Sequence, residues 1–203
     1  MAGFALDILG PDLVEPGVAY VRKHGGEIHF SQRLRQVQLS EGCVTALDFT
    51  AESVKLGPND HLVLALPPAS LTQILPEFSA PLETRAIVNG HFRLDHAVEL
   101  PGGNRLLGLI GGTAHWLFAR GDIASVTVSA ADKLAEKEAD EIGLLLWRDI
   151  AIALGKPLSE PPPFRIIKEK RATFAQIPSA LGKRPPPRTA YKNLFLAGDW
   201  TAT

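Results

Sequence analysis

The sequence predicts an α+β fold, and three patterns support this prediction. Short runs of alternating apolar residues between residues 28 and 56 are typical of an antiparallel meander. The more continuously apolar run at residues 61–66 ends at Pro67-Pro68 and is typical of a strand covered on both faces. Apolar residues at helical spacing between residues 130 and 154 predict a long amphipathic helix.

The first predicted element is a helix that begins near Pro11 and Asp12 and ends at Gly25-Gly26. Its apolar face is formed by Leu13, Val14, Val18 and Val21. The meander follows, and Glu41-Gly42 predicts a tight turn between two of its strands. Val54 and Leu56 extend it by a further strand.

A second region begins with a short helix predicted over residues 69–75. The strand candidates that follow are residues 86–94, 106–110, 115–118 and 124–128. The long helix comes next, with Ser129 and Asp132 as a capping pair and with Gly155 and Pro157 as stop signals. Residues 164–174 predict one more strand.

Composition excludes several classes of protein. Lys and Arg total 21 against 22 for Asp and Glu, so the net charge of −1 provides no broad basic face, and no nucleic acid partner is expected. The single Cys43 has no second cysteine for a disulfide, which fits a reducing compartment. No apolar run approaches the roughly 18 residues that a membrane span requires. We therefore expect a cytoplasmic protein.

Side chains of the second region are candidates for ligand contact. Trp116 and Phe118 alternate along one predicted strand, so they face the same side and line either an apolar pocket or the core. His91 also lies on a predicted strand, where it either exchanges protons with a ligand or has a structural role. No metal site is predicted, because none of the six histidines pairs with cysteine or carboxylate at a recurring ligand spacing.

The end of the chain carries the sharpest local pattern. An apolar strand at residues 193–197 runs directly into Gly198 and Asp199. In open α/β sheets, ligands bind beyond the carboxyl ends of the strands, where glycine permits close approach and an acidic side chain accepts hydrogen bonds from hydroxyl groups. A plain turn is the alternative interpretation of the same two residues.

The whole run NLFLAGDWTAT at residues 193–203 resembles the C-terminal flavin-binding motif of the FAD-dependent amine oxidase and phytoene desaturase superfamily. Residues 25–28, 60–68 and 168–174 resemble the same group. The resemblance implies FAD as cofactor, with Asp199 bonded to its ribityl chain, Gly198 giving close approach, and Trp200 and Thr201 alongside. It also implies that the backbone of Leu34 contacts the adenine.

Within this superfamily, residues 89–91, 111–112, 115–118 and 129–132 are most similar to the squalene-associated desaturases, the hydroxysqualene dehydroxylases of hopanoid pathways. This resemblance implies an apolar polyisoprenoid substrate and the delivery of a hydride from reduced FAD to an allylic carbon as a hydroxyl leaves. A peripheral contact with the membrane surface would follow from such a substrate. His91, Trp116 and Phe118 are then the expected substrate-binding residues.

The sequence departs from this family in lacking a Gly-x-Gly-x-x-Gly turn for the FAD pyrophosphate. We therefore expect a central and C-terminal portion of a longer flavoenzyme, inactive alone. We expect residues 1–67 to form part of the FAD-binding domain, 68–174 a substrate-binding domain of sheet and helix, and 175–203 the return to the FAD-binding domain. The alternatives are an amine oxidase and a non-catalytic ligand- or partner-binding module built on the same scaffold.

Overall fold

A computed structural model describes residues 10–202. The helices are a π-helical turn at Gly10–Val14, α1 (Glu15–Lys23), α2 (Pro68–Ile74), a 3₁₀ turn at Pro101–Gly103, α3 (Asp132–Ala135), α4 (Ala139–Ala153) and α5 (Pro178–Leu181). The strands are β1 (Leu34–Ser40), β2 (Cys43–Phe49), β3 (Ser53–Lys55), β4 (Leu62–Leu64), β5 (Thr84–Arg93), β6 (Leu106–Gly108), β7 (Trp116–Arg120), β8 (Ile123–Val128), β9 (Phe164–Phe174) and β10 (Leu194–Leu196). This mixture of helices and sheets confirms the predicted α+β class.

The chain divides into two compact units. Among the described residues, the first unit comprises residues 10–80 and 185–202, and the second comprises Pro81–Arg184. The functional roles assigned above to residues 1–67, 68–174 and 175–203 remain predictions.

The meander of the first unit has the predicted arrangement. Strands β1, β2 and β3 form an antiparallel sheet in that order. Glu41 and Gly42 join β1 to β2 with φ angles of 50° and 75°. Two positive φ angles match the right-handed twist of the flanking strands, which explains why a glycine stands in this turn.

A parallel pair of strands forms the second sheet of the first unit. β4 and β10 pair in parallel, with Leu64 beside Leu196. Leu64, Leu194 and Leu196 are buried, whereas Val63 is 58% exposed. The predicted burial of this strand on both faces is therefore wrong, because successive side chains point to opposite faces and only one face is covered within the described residues.

The first helix is present, but its apolar face is exposed. α1 ends at Lys23 with His24 as its C-cap, and Gly25 follows with a φ of 80°. No residue of α1 is buried, and Leu13 and Val14 in the preceding π-helical turn are 64% and 53% exposed. Among residues 10–202, no layer covers the apolar stripe that predicted this helix.

The second unit is a five-stranded antiparallel sheet with helix α4 packed on one face. The strand order is β6-β7-β8-β5-β9. The core between sheet and helix contains Val88, Phe92, Leu117, Ala124, Val126, Ile142, Leu146, Trp147 and Ile150. The alternate residues of each strand point to the opposite face of the sheet, which we call the open face.

The long predicted helix is divided into two. α3 ends at Ala135, and α4 starts at Ala139 after Glu138 adopts an extended conformation. The predicted capping pair is also wrong, because α3 has no side-chain cap. Asp132 instead accepts a hydrogen bond from the backbone N–H of Ala86 at 3.0 Å, which ties α3 to β5. No helix among residues 10–202 is both long and apolar enough to cross a membrane.

Candidate functional site

The turn after β10 has a backbone that requires glycine. Gly198 has a φ of 153°, a value that side chains of L-amino acids rarely allow. A Cβ atom at this position would also lie 2.5 Å from Nε1 of Trp200. The indole therefore folds back over the glycine, and any larger residue would force it away.

Two buried side chains hold this turn against the strand pair. Nε1 of Trp200 donates a hydrogen bond to the carbonyl of Leu66, just beyond the carboxyl end of β4, at 3.0 Å. The hydroxyl of Thr201 donates to the carbonyl of Gly198 at 2.8 Å. Trp200 and Thr201 are only 3% and 2% exposed, so they act first as the support of the turn. Their predicted contact with a cofactor remains a prediction.

Asp199 is exposed at the tip of this turn. Its position follows from the parallel pairing of β10 with β4, because parallel strands bring their carboxyl ends to the same edge. A carboxylate is an acceptor of hydrogen bonds, so its natural partners are hydroxyl and amide donors. The position and chemistry suit the predicted contact with a polyol chain.

A buried amide connects the meander to the strand pair. The Asn193 side chain accepts a hydrogen bond from the backbone N–H of Val44 at 2.8 Å and donates one to the Val44 carbonyl at 2.9 Å. The same amide nitrogen lies 3.4 Å from the carbonyl of Asp60, which precedes β4. Sequence reasoning did not identify Asn193, although a polar residue at the start of an apolar strand is a detectable signal.

Leu34 lies at the first position of β1 and pairs with Phe49 of β2. Its side chain is half-buried. The predicted contact of its backbone with an adenine remains a prediction.

The three predicted substrate residues meet on the open face of the second unit. His91 of β5 pairs with Ser125 of β8, which in turn pairs with Phe118 of β7. Trp116 lies two residues before Phe118 on the same face and is 46% exposed. The ring of Trp116 lies over Gly108 of β6, where a Cβ atom would be 3.4 Å from it.

A strip of polar side chains runs beside these aromatic rings. Nδ1 of His91 and Oγ of Ser125 are 2.9 Å apart. Two register positions along the same strand pair, Thr127 donates a hydrogen bond to Oδ1 of Asn89 at 2.7 Å. Ser125, Thr127 and Asn89 were missed by sequence reasoning. The sequence feature that could have identified them is alternation: Asn89 and His91 are two residues apart on one strand, as are Ser125 and Thr127 on another. Residues two apart on a strand lie on the same face of the sheet.

Charged groups surround the histidine of this strip. Partial burial is the main cause that lowers the pKa of His91, and the positive charges of Arg120 and Arg165 lower it further. Arg165 is the register partner of His91 on β9. At neutral pH the imidazole is therefore neutral, with one ring nitrogen that donates and one that accepts.

A groove of about 570 Å³ lies elsewhere in the second unit. It is lined by Arg93, Leu94, Asp95, Trp147, Lys156, Pro157, Ser159, Glu160, Pro162 and Pro163. None of the predicted site residues lines it. The candidate site is therefore defined by hydrogen bonding and chemistry and not by this groove.

Comparison with known families assigns the chain to a class of protein. The model of the flavin-containing amine oxidoreductase family matches residues 12–203, and the chain belongs to this family. An oxidoreductase from Methanosarcina mazei has a similar fold, with a TM-score of 0.70 and 14% identity over 94% of this chain and 49% of that one. The predicted membership of a family of flavin-containing oxidoreductases is confirmed, and this family supports the predicted cofactor, FAD.

Relatives narrow the resemblance within the family. The hydroxysqualene dehydroxylase of Sinorhizobium fredii is 42% identical over 98% of this chain, and that of Rhodopseudomonas palustris is 41% identical over the same share. The predicted similarity to the squalene-associated branch is thus confirmed. The chain spans about half the length of these relatives, 47% of each.

Proposed function

We propose that this chain is the portion of an FAD-dependent oxidoreductase that acts on an apolar polyisoprenoid substrate of the hydroxysqualene, squalene or carotenoid type. The identity of 41–42% to two hydroxysqualene dehydroxylases supports this substrate class. The observation that carries the proposal is the glycine-dependent turn at Gly198, which presents Asp199 at the carboxyl end of a parallel strand pair.

The first unit contributes to holding the cofactor. Asp199 accepts hydrogen bonds from the ribityl hydroxyls of FAD, and Gly198 lets the cofactor approach the backbone. Trp200 and Thr201 keep the turn in this conformation through their bonds to Leu66 and Gly198. When bound, reduced FAD supplies a hydride to an allylic carbon as the hydroxyl group of the substrate departs with a proton as water.

The second unit contributes to holding the substrate. Trp116 and Phe118 offer apolar surface to an isoprenoid chain, and such contact is favourable in proportion to the area removed from water. His91 lies two strands away from them, with β8 between, and is the third substrate-binding residue. A peripheral contact with the membrane surface follows from a substrate that dissolves in lipid.

The variant Asp199→Ala, made in the full polypeptide that carries this chain, tests the cofactor assignment. A hydrogen bond to a charged group contributes about 1.5–3 kcal/mol, so we expect the Kd for FAD to rise about tenfold to a hundredfold. The measurement is the flavin content of the purified protein, followed by titration with FAD. Asp199→Asn keeps one acceptor oxygen and should lose less. Unchanged flavin content in Asp199→Ala would contradict the assignment.

A further inference from the structure

The open face of the second unit has a strip of uncharged polar side chains beside two aromatic rings, and Arg93, Arg120 and Arg165 lie on the same face. The strip consists of two hydrogen-bonded cross-strand pairs, His91 with Ser125 and Asn89 with Thr127. Trp116 and Phe118 stand in register beside them, with Trp116 opposite Thr127 and Phe118 opposite Ser125. The two rings suit the apolar part of a ligand, and the uncharged polar strip beside them suits a hydroxyl group on the same ligand.

We infer that His91, oriented by Ser125, binds the hydroxyl group of an isoprenoid alcohol on this face and so distinguishes the alcohol from the corresponding hydrocarbon. The inference rests on the proposed function for its substrate class. Beyond that function, it assigns His91 to binding the hydroxyl group of the substrate and Ser125 to positioning the His91 ring.

The orientation of the imidazole follows from its hydrogen bond to Ser125. Nδ1 is engaged by the hydroxyl of Ser125 at 2.9 Å, and a serine hydroxyl accepts or donates equally well. Nε2 has no partner among residues 10–202 and is the ring atom left to meet a ligand. Because the ring is held by one nitrogen, the other has a fixed direction, which is the arrangement that orients histidines in other sites.

The chemistry of an alcohol matches this ring. A hydroxyl both donates and accepts a hydrogen bond, so it pairs with neutral imidazole in either tautomer. Partial burial and the charges of Arg120 and Arg165 lower the pKa of His91, which keeps the ring neutral at physiological pH. A hydrocarbon offers no partner to Nε2, and a buried polar atom without a partner opposes binding.

Discrimination is tested by comparing two ligands in five proteins, the wild type and four variants. Farnesol and the hydrocarbon farnesene are titrated into the full polypeptide that carries this chain, and binding is followed by isothermal titration calorimetry. Because one net hydrogen bond in water contributes about 0.5–1.5 kcal/mol, we expect wild-type protein to bind farnesol about threefold to tenfold more tightly than farnesene.

The variants separate hydrogen bonding from shape. His91→Phe keeps an aromatic ring and removes both nitrogens, so the preference for farnesol should disappear while the affinity for farnesene is retained. His91→Gln restores a polar group near Nε2 and should recover part of the preference. Ser125→Ala leaves the imidazole in place without its orienting hydroxyl, so the preference should fall by a smaller factor. A purely structural role of either residue would change both affinities together.

His115→Phe is the matched control. His115 precedes β7, and its Nδ1 accepts a hydrogen bond from the backbone N–H of Ser129 at 3.2 Å. Its side chain has the opposite parity to Trp116 and Phe118, so this variant should keep the preference for farnesol. Loss of the preference in His115→Phe as well as in His91→Phe would overturn the inference.

The remaining outcomes also decide the matter. Equal binding of both ligands by wild-type protein, binding of neither, or a retained preference in His91→Phe would each overturn the inference. These outcomes leave the flavin content of Asp199→Ala untouched, so a failure here is distinguishable from a failure of the proposed function.

Discussion

At the scale of single residues, a few polar side chains fix the candidate sites. Asn193 satisfies both backbone groups of Val44 while it is only 9% exposed. Asp149 of α4 has a similar role in the loop before β7. Its carboxylate accepts hydrogen bonds from the backbone N–H groups of Thr113 and Ala114 at 2.6 and 2.8 Å. Such residues stabilise the fold through groups that would otherwise be buried without partners.

Asn193→Ala should destabilise the protein by about 1–3 kcal/mol, because the buried N–H and C=O of Val44 would lose their partner. Urea unfolding measures the effect. Asn104→Ala is the control, since Asn104 is exposed and donates to the carbonyl of Pro101 at 3.0 Å. The control should change stability by no more than about 0.5 kcal/mol. Equal losses in the two variants would contradict the bridging role of Asn193.

His91 should give the protein a pH-dependent stability. Its pKa is lowered in the folded state, first by burial and then by Arg120 and Arg165. The unfolded chain therefore binds a proton at a pH where the folded chain does not, and stability falls as pH drops below about 6.5, the ordinary value for histidine. Arg93 lies on the same open face as His91, and its Nε is 3.4 Å from the carboxylate of Asp122, which pairs its charge.

Thermal unfolding between about pH 7.5 and pH 5.5 measures this dependence. We expect His91→Gln to lose less stability over this range than wild-type protein, because glutamine does not titrate. All other titratable groups are common to the two proteins and affect both alike. Identical dependence on pH would show that the surroundings of His91 do not disfavour its protonation.

At the scale of secondary-structure elements, α4 packs against β9 at a glycine. A Cβ atom on Gly143 would lie 2.3 Å from the ring of Phe164, which stacks on Phe92 at 5.4 Å between centroids. The Phe164 ring therefore has Phe92 packed against it and cannot easily move away from Gly143. This close approach sets how deeply the helix sits on the sheet.

Gly143→Ala should destabilise the protein by about 1–2 kcal/mol in denaturant unfolding. Alanine favours a helix by about 1 kcal/mol over glycine, but overpacking a core costs about 1–3 kcal/mol, and the atoms in conflict here cannot move aside easily. Gly182→Ala is the matched control in the same unit, because its Cβ would meet nothing within 4 Å and its φ is −68°. A stabilised Gly143→Ala protein would contradict this account of the packing.

The elements differ in how well the sequence predicted them. β9 begins and ends at the predicted residues. Its start at Phe164 directly follows Pro161-Pro162-Pro163, through which no strand continues. The single long helix was wrong because Asp132 bonds to Ala86 and the chain is extended at Glu138, contacts that helical spacing does not reveal. The exposure of Val63 could not be predicted, because it depends on which layers lie beside the strand pair.

In the candidate site too, features set by local sequence could be predicted and features set by tertiary contacts could not. The conformation of Gly198 and the common face of Trp116 and Phe118 could be predicted, because they depend on local backbone geometry and on the alternation of a strand. The bond between His91 and Ser125 joins residues 34 positions apart. Register between distant strands is a tertiary property, so a sequence read alone does not specify it.

At the scale of the whole molecule, the chain contains two units with different chemistry. The first presents Asp199 beside a parallel strand pair, and the second presents a polar strip and aromatic rings on an open sheet face. The chain spans 47% of the length of its hydroxysqualene dehydroxylase relatives. We therefore expect the flavin reaction in the full polypeptide.

The most direct test of the proposed reaction is an anaerobic single turnover. The full polypeptide that carries this chain is reduced with dithionite and mixed with hydroxysqualene while the flavin absorbance is followed and the lipid product is identified by mass spectrometry. We predict that the flavin is oxidised as squalene appears in equal amount, because one hydride is transferred for each hydroxyl lost. Flavin that stays reduced in the presence of hydroxysqualene, in a protein whose oxidised flavin is instead reduced by a polyamine, would contradict the account and identify an amine oxidase.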